Sequence, residues 1–128
     1  MKLLLDTHTF IWWNSDSSKL SKKILDLCGD RNNIILLSLV SIWEIEIKSK
    51  LGKLTLNNSL SAIIKHQKIT NNIQLLPINL EHILQLETLN VYHKDPFDHL
   101  LIVQAMLENA TLLSKDSKFG NYPIKVEW

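Results

Sequence analysis

Short apolar runs with no polar alternation constrain this chain more than any other feature. Residues 2–5 carry Leu3-Leu4-Leu5, and Ile34–Leu37 is apolar without interruption. A strand apolar on both faces must be covered on both, as in parallel sheets flanked by helices. Gln74–Pro77, Thr111–Ser114 and Ile124–Val126 read as three further short strands. Helical patterns fill the intervals. Thr7–Trp13 gives a turn or two, closed by the polar run at residues 14–18. Lys19–Leu27 is amphipathic and stops near Gly29. Ser38–Lys50 stops at Gly52, and Asn57–Lys68 follows. Leu80–Leu89 places Ile83, Leu86 and Leu89 on one face, and Pro96–Asn109 is strongly apolar. Strands alternating with helices predict an α/β sandwich around a mostly parallel sheet.

Composition narrows the functional classes. A length of 128 residues suits one domain, residues 1–128, with a real core, and no repeat, low-complexity tract or linker divides it. Formal net charge is +1, so nucleic-acid binding must rest on local patches. Arg31 is the only arginine, so phosphate would be met mainly by lysine point charges. Cys28 is the only cysteine, which excludes an internal disulfide and fits a reducing cytoplasm. Its place on the Leu20, Ile24, Leu27 face predicts a small packed hydrophobe. Asp6 and His8 interrupt the first apolar run too early for a signal peptide, and no stretch reaches membrane-span length.

Four acids stand out by position. In open parallel sheets, ligands gather beyond the carboxyl ends of the strands. Asp6 closes the first strand, and Asp116 follows the Thr111–Ser114 strand, with the hydroxyls of Thr7 and Ser114 beside them. In Ser38–Lys50 an apolar arc of Val40, Trp43, Ile47 and Leu51 has Glu44 at its edge, and Glu46 lies roughly 160° from Glu44 at about 100° per residue. Glu44 is therefore expected semi-buried and Glu46 solvated. In Lys94-Asp95-Pro96-Phe97-Asp98, Asp95 reads as a helix cap before proline. Asp98 projects from the first helical turn, on the side away from Gln104 and Glu108. Each acid also has a plain structural use: a cap for Asp6, a surface ion pair with Lys48 for Glu44, a helix-terminus charge for Asp98, a turn for Asp116. Their convergence on one rim weighs against four separate uses. Carboxylates about 5 Å apart repel by roughly 3 kcal/mol at an effective dielectric near 20. An all-oxygen pocket of that kind suits Mg²⁺ or Mn²⁺, and the histidines lack zinc-like spacing.

The segments LLLDTHTFIWW, SLVSIWEIEIKSKLGKL, KDPFDHLLIVQAMLENATLLSKD and FGNYPIKVEW, in this order, resemble PIN-domain ribonucleases of the VapC-like toxin type from bacterial toxin–antitoxin pairs. The resemblance implies a three-layer α/β/α sandwich. It implies a metal pocket of Asp6, Glu44, Asp98 and Asp116, with Thr7 and Ser114 supporting it, and Mg²⁺- or Mn²⁺-dependent hydrolysis of RNA. It also implies a cognate antitoxin and a homodimer. Leu51, Leu54, Leu56 and Leu60 are candidates for the apolar surface of either contact. Lys48, Lys50, Lys53, Lys115 and Lys118 are candidates for contacts with the RNA backbone. His99 is another, at a position where the family often has arginine. Trp12, Trp13 and Trp43 offer surfaces for base stacking or for packing. Two rival readings stand beside this one. One is a phosphotransferase of haloacid-dehalogenase type using Asp6, although that pattern wants an aspartate where His8 stands. The other is a catalytically silent binding module on the same fold.

Overall fold

The computed structural model describes residues 1–128. Its elements in chain order are β1 (Lys2–Leu5), α1 (Thr7–Ser15), α2 (Lys22–Gly29), β2 (Ile34–Ser38), α3 (Leu39–Lys50), α4 (Leu60–Asn71), β3 (Gln74–Leu76), α5 (Leu80–Gln85), α6 (Pro96–Glu108), β4 (Thr111–Leu113) and β5 (Val126–Glu127). Three 3₁₀ turns, Ser17–Lys19, Leu86–Thr88 and Ser117–Asn121, complete the set.

The five strands form one sheet in the order β3-β2-β1-β4-β5, and every pairing is parallel. The expected mostly parallel sheet is thus wholly parallel. Residue parity sorts the core into two layers. Leu3, Leu5, Ile35, Leu37 and Leu113 face one side, with Phe10, Leu20, Ile24, Cys28 and Ile63 from α1, the turn after it, α2 and α4. Leu4, Leu36 and Leu112 face the other, with Leu101, Ile102 and Ala105 of α6. Because successive side chains in a strand alternate faces, an uninterrupted apolar run feeds both layers. This is an α/β/α sandwich. Leu3, Leu4 and Leu5 have no exposed surface, and each such side chain contributes about 2 kcal/mol of burial.

Helix α3 belongs to both layers: Val40 joins one cluster and Ile45 the other. It therefore straddles the carboxyl rim of the sheet. Its core face runs Val40, Ser41, Glu44, Ile45. The expected arc through Trp43, Ile47 and Leu51 is shifted, with Trp43 and Leu51 more than half exposed. The buried face carries Ser41 and Glu44, which bond Thr7, so the most apolar arc of the helix is not its buried one.

Several boundaries move to the nearest cap. Lys19–Leu27 begins instead at Lys22, because the Ser21 hydroxyl accepts from Ile24 N. Asn57–Lys68 becomes Leu60–Asn71, because Ser59 accepts from Ala62 N. Leu80–Leu89 stops being α-helical after Gln85 and finishes as a 3₁₀ turn. Gln104, expected on the outer polar side of α6, is fully buried; it accepts from Ser38 Oγ at 2.5 Å and donates to the Pro77 carbonyl at 3.2 Å. Asn72 and Asn109 end their helices in the left-handed conformation (φ 53° and 52°), which asparagine tolerates.

Candidate active site

The chain leaves β1 toward β2 and β3, then returns on the opposite side through β4 and β5. The gap between β1 and β4 is therefore a topological switch point, where the carboxyl ends of strands open a crevice. Asp6 and Asp116 lie there. Asp6 is 7% exposed and begins α1. Its side chain does not cap that helix. Instead its Oδ2 accepts from Ser114 Oγ at 2.7 Å, and the same Ser114 oxygen accepts from Asp116 N at 3.0 Å. Asp6 N donates to the Leu113 carbonyl at 3.1 Å, and Thr9 Oγ1 donates to that carbonyl at 2.8 Å. The site is sewn across β1 and β4 by short polar links.

Glu44 is 4% exposed and Glu46 is exposed, as the helical spacing predicts. The Glu44 Oε1 lies 2.8 Å from Thr7 Oγ1, which lies 2.9 Å from Ser41 Oγ. The other oxygen, Oε2, pairs with Lys48 Nζ at 2.5 Å. The Glu44 side chain is 6% exposed and the Lys48 side chain 35%, so the carboxylate is buried while the ammonium end still reaches solvent. Lys48 Nζ therefore already has a carboxylate partner.

Asp98 is 9% exposed, in the first turn of α6. Asp95 caps that helix, accepting from Phe97 N and Asp98 N, as its place before Pro96 predicts. The partner of Asp98 is a residue that sequence reasoning missed. His93 Nε2 lies 2.9 Å from Asp98 Oδ2, and His93 Nδ1 lies 2.7 Å from the Tyr122 hydroxyl. That hydroxyl accepts from Tyr92 N at 2.9 Å. The network is satisfied when the Tyr122 O–H donates to Nδ1 and Nε2–H donates to Asp98. His99 Nε2–H donates to the His93 carbonyl at 2.6 Å, so His99 holds the His93 segment in place. The available signal was a histidine five residues before an acid, with a capped proline turn between them that folds the chain back.

Burial dominates the electrostatics. Desolvation pushes the Asp6 carboxyl above its usual range, opposed by the Ser114 hydrogen bond and the nearby His8, and reinforced by Glu44. Desolvation likewise pushes Asp98 up to about 7, against the His93 hydrogen bond, with Asp95 and Asp6 adding repulsion. Asp6 thus feels both Glu44 and Asp98, and the three carboxylates form one interacting set. Asp116 is exposed and caps the 3₁₀ turn Ser117–Asn121 by accepting from Lys118 N at 2.9 Å. It joins Asp6, His8, Trp12 and Lys115 around a cleft of about 280 Å³. Lys50, Lys53, Lys115 and Lys118 are exposed. Leu51 is exposed, whereas Leu54, Leu56 and Leu60 are partly buried and pack against the core, each keeping some surface.

The donor set can be tested against a divalent cation. No three acidic, histidine or cysteine side chains close up into a preformed metal cage. The chemistry of the donors fits a hard cation: all are oxygens, and Asp6 and Asp98 are buried, mutually repelling and proton-hungry. Mg²⁺ is held by one or two carboxylates, with waters and substrate oxygens filling the rest, so a complete protein cage is not required. Cys28, by contrast, is buried with its thiol pushed up to about 11, and is inert.

Comparison with known proteins agrees with this architecture. A chain in the crystal structure of VapBC2 from Rickettsia felis bound to a promoter DNA fragment superposes with TM-score 0.70 at 18% identity, covering 99% of this chain and 98% of that one. DNA-bound VapBC from Salmonella typhimurium gives 0.66 at 15% identity over 99% and 97%. A toxin–antitoxin complex from Klebsiella pneumoniae gives 0.64 at 18% identity over 98% and 96%. At these identities the likeness is one of fold. No curated protein matches the sequence. The sequence model of the PIN domain matches residues 3–125, nearly the whole chain, and the protein belongs to the PIN domain family.

Proposed function

We propose that this chain, as one PIN domain over residues 1–128, is a metal-dependent endoribonuclease and the toxin of a toxin–antitoxin pair. Membership of the PIN family supports nuclease chemistry aided by a divalent ion, and likeness to chains from VapBC complexes supports an antitoxin partner. The observation that carries the reading is the buried, interacting set of Asp6, Glu44 and Asp98 at the switch point of the sheet.

Asp6 and Asp98 are the residues that would hold Mg²⁺ or Mn²⁺. When bound, such an ion neutralises phosphate charge and acidifies water for in-line attack. The chain's own residues do the rest. Ser114 fixes Asp6 through Oδ2, leaving Oδ1 for a ligand. Thr7 and Lys48 fix Glu44, which completes the negative set. The Tyr122–His93 relay orients Asp98. Asp116, at the mouth of the cleft, orients water or substrate. The exposed Lys50, Lys53, Lys115 and Lys118 offer point charges to the RNA backbone.

We further propose a homodimer and a cytoplasmic site of action; no helix is long and apolar enough to cross a membrane. The test is cleavage of a total RNA pool by purified wild type, Asp6→Asn and Asp98→Asn, with Mg²⁺, Mn²⁺ or EDTA. Metal-dependent cleavage by wild type alone is expected. Equal cleavage by folded mutants, or cleavage in EDTA, overturns the assignment.

A further inference from the structure

The cleft beside Asp6 is walled unlike the rest of the acidic rim. Its five lining residues are Asp6, His8, Trp12, Lys115 and Asp116. Carboxylates alone would repel a polyanion, yet here two of the five residues are a lysine and a histidine. Lys115 and His8 are exposed. The remaining wall, Trp12, is the only hydrophobic residue of the cleft. It is only partly buried. Its indole is held from two sides: the His8 ring lies 5.8 Å away, tilted by 46°, and the Trp128 ring 5.9 Å away, nearly edge-on at 69°. His8 and Trp12 are four residues apart on α1, so one helical face presents both rings. A partly exposed aromatic wall, an exposed lysine and a buried carboxylate line a cleft of about 280 Å³. This matches the demands of a single nucleotide: a π-surface for the base and a point charge for the phosphate.

We propose that His8 and Trp12 form a stacking platform for one unpaired nucleotide of the RNA substrate, next to the scissile phosphate at Asp6, with Lys115 meeting the adjoining phosphate. The proposal rests on the ribonuclease reading above and assigns its substrate subsite: a splayed, single-stranded nucleotide and not a duplex step. The base is recognised by its flat face, so the platform selects for unpaired structure more than for sequence.

The experiment is fluorescence anisotropy of 5′-labelled hexauridylate and hexaadenylate in EDTA, which separates binding from cleavage. Trp12→Leu keeps apolar bulk against the core and removes the π-face; Trp12→Phe restores one. His8→Ala alters an exposed ring. Loss of one base stack corresponds to about 5- to 100-fold weaker binding. Trp12→Leu and His8→Ala are expected to fall in that range, with the slope of log affinity against log salt unchanged and with Trp12→Phe close to wild type. Lys115→Ala is expected to flatten that slope by about 0.7. A duplex of the same length is expected to bind the wild type and Trp12→Leu equally. If the wild type cleaves RNA but folded Trp12→Leu and His8→Ala bind the hexamers as it does, the platform is wrong and the nuclease assignment survives. If the wild type neither binds nor cleaves RNA, both fall.

Discussion

Removing the charge of Asp98 should make the metal-free protein more stable while making it inactive. Burial holds the carboxyl at about 7 in the folded chain, against 3.8 when unfolded. The folded state therefore binds this proton more tightly than the unfolded state does. Its contribution to stability is fully present below pH 3.8, falls as pH rises through the window up to about 7, and is lost above it. At about 1.4 kcal/mol per tenfold change in the proton equilibrium, the full penalty would be nominally about 4 kcal/mol; partial water access reduces it to about 1–2 kcal/mol. An asparagine side chain at this position has nearly the same shape, would still accept from His93 Nε2–H, and carries no charge. In EDTA at pH 8, Asp98→Asn is expected to melt about 5 °C above wild type. At pH 5 the folded carboxyl keeps its proton but the unfolded one has largely lost it, so the gap should narrow yet persist, closing only as pH approaches 3.8. Thermal melts followed by circular dichroism at both pH values measure it. A mutant melting at or below wild type at pH 8 would refute the reasoning, because it would mean that the hydrogen bond from His93 to the ionised carboxylate outweighs desolvation.

Three further outcomes follow from the same geometry. Glu44→Gln should reduce RNA cleavage at least 100-fold while Glu46→Gln stays within twofold, because only the first is buried beside Thr7; initial rates with Mg²⁺ decide it, and the reverse order would invert the phase of α3. Thr7→Val should destabilise the fold by about 1–2 kcal/mol, since Oε1 of Glu44 loses a buried donor, read as a lower urea midpoint with unchanged m-value. Tyr122→Phe removes the hydroxyl that serves both His93 Nδ1 and Tyr92 N; it should lower cleavage about tenfold and weaken Mn²⁺ binding measured by calorimetry, and unchanged values for both would show that the relay does not orient Asp98.

The fold was legible because its signals are local. Leu3-Leu4-Leu5 and Ile34–Leu37 are apolar at both parities, and only a sheet covered on both faces satisfies that. Asp95-Pro96 announces a helix start without any tertiary knowledge. The burial of Glu44 over Glu46 was readable too, although by an arc that proved misplaced, since Trp43 and Leu51 point outward. What escaped depends on distant partners. Gln104 looks like an outer-face residue until Ser38 and the Pro77 carbonyl arrive beside it. His93 and Tyr122 are 29 residues apart, and no periodicity connects them. Lys48 reads as a surface cation unless the burial of Glu44 is known. Polar groups buried by long-range pairing carry no periodic signature, and they make up most of the candidate site.

The central place of β1 also sets a schedule for assembly. Strand β1 pairs with β2 on one edge, but its other edge waits for β4, more than a hundred residues later in the chain. Until Leu113 and Ser114 arrive, Asp6 lacks both its backbone and its hydroxyl partner. Closure of so long a loop is slow relative to local helix formation. A nascent or C-terminally truncated chain thus holds three of the four acids yet cannot gather them. The crevice between β1 and β4 comes into existence only once residues 111–114 have joined the sheet, and any agent that keeps those strands apart during synthesis would leave the acids ungathered.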